Sequence, residues 1–186
     1  MDMDWDTLIP EQLDWHWREN LRPRWEGLTD EEYFWEPVPG MWSIRPRGSS
    51  TAPSPLGGGK FTCDFSWPAP DPPPATTIAW RMAHLLVGVF GARVASHFGG
   101  PPVSFQEYDY PGDAATALAR LDAAYAAWDE GVRGLGADGL ARPIGPAGGP
   151  LYAAEPMASL ILHINREALH HGSEICLLRD LYRWKA

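Results

Sequence analysis

The sequence predicts an all-α fold, an antiparallel four-helix bundle, and three observations carry that prediction. Four long stretches place apolar residues three and four positions apart, the repeat of a helix face. The third of them, Leu118, Leu121, Tyr125, Trp128, Val132 and Leu135, steps 3, 4, 3, 4, 3, which is the seam of a bundle. No internal repeat divides the 186 residues, so they read most simply as one domain, 1–186, long enough to bury about two-thirds of its unfolded surface.

The first helix is expected from about Thr7 to Trp25. Leu13, Trp17, Leu21 and Trp25 form an i+4 row, and Pro10 is tolerable if it falls in the first turn. A short helical segment follows, with Thr29 as N-cap and Glu32 in the capping-box position. Residues 37–75 are too rich in Pro and Gly for a helix. They form a long insertion between the first two main helices. Within it, Met41–Arg45 and Lys60–Phe65 alternate like the strands of a small hairpin. Gly57-Gly58-Gly59-Lys60 lacks the spacing and the following Ser or Thr of a phosphate-binding loop.

The second main helix should begin at Thr76 or Thr77 and is apolar almost all round, as a central helix is. The third should end near Gly134 to Gly136, and a Gly/Pro-rich connection then runs to Pro150. The fourth starts with Pro156 in its first helical position and extends to about Arg183.

That last helix carries the chemistry. Leu160, Ile164, Ala168, Ile175 and Leu178 fall on one face, and Glu167 and His171 fall among them rather than opposite. A carboxylate in a buried stripe needs a cation, a metal or a strong hydrogen bond. Groups at i and i+4 can converge on one ion, and His84, alone on its apolar helix, is the natural third ligand. Two imidazoles and a carboxylate suit zinc, with nickel, manganese or iron also compatible, and three ligands leave a position open. The metal-free alternative is a buried Glu167–His171 ion pair with Arg81 or Arg166 beside it. His163 and His170 lie at the edge of the stripe and Glu174 one turn beyond His171; they read as supporting or solvent-facing groups. Trp17 is expected in the core, Trp15 at an interface and His16 in solvent.

The segments Thr76–Leu85 and His163–Glu174 together resemble the DinB superfamily of four-helix-bundle metalloproteins. Members carry a histidine on the second helix and a His-x-x-x-His pair on the last; here Glu167 replaces the first histidine of that pair. The departure resembles the branch of mycothiol-dependent maleylpyruvate isomerase, with a His, Glu, His ligand set. The resemblance implies a divalent-metal-dependent S-transferase or isomerase acting on a small-molecule substrate with a low-molecular-weight thiol, mycothiol or bacillithiol. A homodimer is expected through this resemblance alone. A hydrolase using metal-bound water and a non-catalytic stress-response bundle stay open as alternatives.

Bulk properties narrow the partners. A formal charge of -9 without a Lys/Arg cluster argues against nucleic acid. The longest nearly apolar stretch, Met82 to Ala95, is short for a membrane span. Two cysteines without a paired spacing and an acidic N-terminal run suggest a cytoplasmic protein with reduced thiols. Cys63 reads as a structural or solvated thiol and Cys176 as packing.

Overall fold

Asp4 starts the first helix by accepting a hydrogen bond from the Thr7 amide at 3.2 Å. The computed structural model describes residues 3–185; Met1 and Asp2, the beginning of the acidic run, and Ala186 lie outside it. Helix α1 (Trp5–His16) continues through a π-helical stretch, Trp17–Leu21, into Arg22–Arg24. The Asp4 cap moves the start upstream of Thr7, so Pro10 falls in the second turn rather than the first and removes one helical hydrogen bond. The row Leu13, Trp17, Leu21 and Trp25 is buried as expected, and Trp17 stacks on Tyr125 with ring centroids 4.2 Å apart. Trp15 is exposed, whereas His16 is half-buried rather than in solvent.

Helix α2 (Asp30–Tyr33) carries the Thr29/Glu32 capping box in full. The insertion holds the expected hairpin: β1 (Ile44–Pro46) pairs antiparallel with β2 (Phe61–Cys63), Ile44 opposite Cys63. Helix α3 (Ile78–His84) runs on through a π-helical stretch, Leu85–Gly91, to Ala92–His97, and Thr77 caps it. Taken whole, Ile78–His97 is long and apolar enough to cross a membrane, although the stretch within it looked short. Half of it is buried against the rest of the protein, as in the core helix of a bundle.

Helix α4 (Ala114–Arg133) begins at an Asp113 cap, and Gly136, at φ +61°, turns the chain after it. The connection that follows is more helical than its Gly and Pro content suggests. It contains α5 (Gly136–Ala141), a 3-10 turn (Pro146–Gly148) and α6 (Gly149–Tyr152), anchored by buried Leu140. Helix α7 (Met157–Arg183) closes the fold, with Pro156 as its N-cap, one residue earlier than expected.

α1 and α3 each pack against both α4 and α7. Arg22 meets Asp122 while Glu11 meets Arg133, so α1 and α4 are antiparallel. α3 and α7 are antiparallel too, because Arg81 meets Glu174 and His84 meets Glu167. α1 runs alongside α7 in the same direction, from Asn165 on Ile9 to Asp180 on Arg24. α3 and α4 also run parallel, since the connection from 98 to 113 is long enough to cross the bundle before α4 begins.

Candidate metal centre

His84 ends the α-helical part of α3, and the backbone widens into the π-helical stretch directly after it. Its ring lies over Trp80, one turn earlier, with centroids 5.6 Å apart and planes 13° from parallel. Trp80 is fixed from the insertion: its Nε1–H donates to the Asp64 carbonyl at 2.9 Å. Asp64 is in turn held by its buried carboxylate, which accepts from the Ser43 amide at 2.9 Å, Arg45 Nε at 2.7 Å and Ser50 Oγ at 2.5 Å. The hairpin is therefore tied to the start of α3 beside His84, not left as a free loop.

Glu167 and His171 face His84 from α7. Glu167 Oε2 is 3.4 Å from His171 Nε2 and 4.0 Å from His84 Nε2, and one ligand atom from each residue falls within 4.8 Å of the others. Donors bound tetrahedrally at about 2.1 Å stand roughly 3.4 Å apart, so the spacing matches a site for one divalent ion.

The other face of His171 is tied down as a metal-ligating histidine usually is. Its Nδ1 lies 2.7 Å from Glu174 Oε2 and 3.0 Å from Arg81 Nη1, and Arg81 Nη1 is 2.5 Å from the same Glu174 oxygen. An ionised carboxylate only accepts and a guanidinium only donates, and the shorter of the two contacts to Nδ1 is the one to Glu174. Nδ1 therefore donates to Glu174, both donors converge on that carboxylate, and the His171 Nε2 lone pair is left facing Glu167. On α3, burial, then the neighbouring His171, pushes the His84 imidazole down to about 4, which keeps it neutral and able to ligate at neutral pH.

The cluster is less buried than the stripe on α7 suggested. Glu167 and His84 side chains are about a third exposed, at 31% and 30%, and His171 is 12% exposed. The buried arc of α7 is centred elsewhere, on Ile161, Ala168, Gly172 and Ile175, and extends to Asn165 and Arg179. Those two polar residues are buried because Asn165 donates to the Ile9 carbonyl at 3.1 Å and Arg179 binds Glu32 at 3.0 and 3.1 Å. Counting them as solvent-facing rotates the apparent stripe toward Glu167. The ion pair of Glu32 with Arg179 has no local sequence signal, since 147 positions separate the partners.

His163 and His170 are outside the cluster. His163 Nδ1 is 3.8 Å from Glu167 Oε1 and 3.0 Å from Arg166 Nη2. His170, with His171 and Glu174, forms a second group of potential ligands, more exposed and relying on the His171 nitrogen already given to Glu174. Cys63 is buried in the hairpin and does not reach the cluster; burial and the Asp64 charge push its thiol up to about 12. Cys176 is buried on α7.

With the helix order and the His84, Glu167, His171 convergence established, the whole chain can be set against known families. The DinB superfamily profile matches residues 12–47 and 62–175. The chain belongs to the DinB superfamily. The residues between the two matched segments, 48–61, run from just after β1 to Phe61, the first residue of β2. No curated protein and no solved structure matches the chain.

Proposed function

We propose that this DinB protein is a divalent-metal-dependent enzyme in which His84, Glu167 and His171 hold the ion, zinc by preference, and a low-molecular-weight thiol such as mycothiol or bacillithiol is activated for S-transfer or isomerisation. The observation that carries the reading is the convergence of three ligand atoms from two helices while Glu174 holds the far nitrogen of His171. When bound, such an ion supplies a position at which a thiol loses its proton near neutral pH.

The chain's own residues do the rest. Glu174 keeps the His171 proton on Nδ1, Arg81 neutralises Glu174, and Trp80 holds the His84 ring in plane. The partial exposure of Glu167 and His84 leaves a path for a small molecule. Cys63 and Cys176 are both buried, so an external thiol is the nucleophile in this reading. Exposed Leu8, Trp15, Leu162, Leu177 and Leu181 on α1 and α7 favour a homodimer through those helices.

The test is turnover of a panel of electrophiles by zinc-loaded protein with and without mycothiol or bacillithiol. Thiol-dependent turnover lost in Glu167→Ala is the expected result. Turnover indifferent to thiol overturns the transferase reading in favour of a hydrolase.

A further inference from the structure

One turn of α7 before Glu167, a cavity of about 540 Å³ opens between α3, α7 and the connection carrying α6. It is of the size that encloses small organic ligands. Leu160 and Ile144 give it an apolar wall, and Leu151 and Tyr152, 79% and 60% exposed although apolar, stand among its lining residues. Arg93 and Arg166 line it as well, with Glu155 the one carboxylate among the lining residues.

Among the described residues eight of the thirteen arginines are held by carboxylates, and Arg47, Arg93, Arg142, Arg166 and Arg183 are not. Arg22, Arg24, Arg45, Arg81, Arg133 and Arg179 all bind carboxylates. Among the described residues neither Arg93, half-buried, nor Arg166, exposed, has a carboxylate within ion-pair distance, and the Nε atom of Arg93 is buried without a hydrogen-bond partner. An unpartnered buried guanidinium nitrogen is costly and uncommon. Of the arginines that no carboxylate holds, Arg93 and Arg166 are the two that line one cavity, and Arg93 Nε has no partner within it. Arg166 also donates to His163 Nδ1 at 3.0 Å, which aligns it beside the histidine next to Glu167.

We infer that this cavity binds a small organic carboxylate, its apolar body against Leu160 and Ile144 and its carboxylate on Arg93 and Arg166. Two guanidiniums against Glu155 leave a single net positive charge, which suits a monoanion better than a phosphate ester. The inference deepens the enzymatic reading, because His163 lines the cavity and lies 3.8 Å from Glu167, which brings a bound ligand beside the proposed metal ligands. The anion site itself stands on residues that are not ligands.

The experiment is calorimetric titration of the full chain with 4-phenylbutanoate, its neutral amide and inorganic phosphate, on zinc-loaded and on chelator-treated protein. Saturable binding of the acid to both forms is expected. The amide and the Arg93→Gln and Arg166→Gln variants should each bind at least about tenfold more weakly, the loss of a charge-assisted hydrogen bond. Equal binding of acid and amide, or unchanged affinity in Arg93→Gln with native circular dichroism, overturns the proposal. So does displacement of the acid by phosphate at equal concentration, or binding of the acid that appears only with zinc and vanishes in His171→Ala. A protein that takes up no zinc yet binds the acid through Arg93 keeps this site and loses the metal reading.

Discussion

Replacing Glu174 by alanine removes no metal ligand yet should weaken zinc binding by roughly 10- to 100-fold, the usual cost of losing the group that orients a ligating histidine. The structure argues for the upper end. Glu174 accepts from His171 Nδ1 at 2.7 Å, and Arg81 Nη1 waits 3.0 Å from the same nitrogen. Without the carboxylate, Arg81 becomes the hydrogen-bond donor to Nδ1, the imidazole proton moves to Nε2, and the nitrogen facing Glu167 loses its lone pair. About 100-fold corresponds to ~2.8 kcal/mol. Substituting Arg81→Met together with Glu174→Ala removes that competitor and should recover much of the loss. The assay is zinc competition against a chromophoric chelator, with circular dichroism to confirm the fold. Wild-type affinity in Glu174→Ala, or a double variant weaker than the single one, refutes this assignment of the tautomer.

Further outcomes follow from the packing around Glu32, Cys63 and Trp80. Glu32→Ala leaves the Arg179 guanidinium buried with two backbone carbonyls as its remaining partners, and urea unfolding should show a loss of about 3–5 kcal/mol. Burial opposes the Glu32 charge, but Arg179 and the Thr29 amide outweigh it and hold the carboxyl below its ordinary value. Its contribution is therefore present above the unfolded carboxyl range near ~4.3 and lost as pH falls through the lower folded value, so wild type should lose stability in acid faster than Glu32→Ala. Cys63, with its thiol pushed up to about 12, should resist iodoacetamide at pH 8 in native protein and react on unfolding; rapid native alkylation would contradict its burial. Trp80→Ala removes both the ring beneath His84 and the bond to Asp64, and should loosen the 37–75 segment to limited proteolysis while lowering zinc affinity about tenfold; Trp80→Phe should keep most of the affinity.

The elements were legible in the sequence where a periodic pattern met a local signal. Thr29 and Glu32, Thr77, and the Leu121, Tyr125, Trp128, Val132 seam sit in the structure as their spacing implies. Pro10 and the α5 helix depart from the sequence pattern because the deciding groups, the Asp4 cap and the buried anchor Leu140, act from outside that pattern. His84, Glu167 and His171 could be brought together on paper because one turn separates two of them and the third is isolated on an apolar helix. Of the two readings open for Glu174, supporting or solvent-facing, its contact with His171 Nδ1 at 2.7 Å favours the first. Arg179 with Glu32, and Asp64 with Ser43, Arg45 and Ser50, were not legible at all, since each is defined by partners far along the chain.

The central claim is that one divalent ion sits between α3 and α7. An anomalous difference map recorded at the zinc edge from zinc-loaded crystals tests it most directly. The account predicts one strong peak within about 2.0–2.2 Å of His84 Nε2, Glu167 Oε2 and His171 Nε2 together. A peak instead on His170, His171 Nδ1 and Glu174, or none at all in fully loaded crystals, contradicts it.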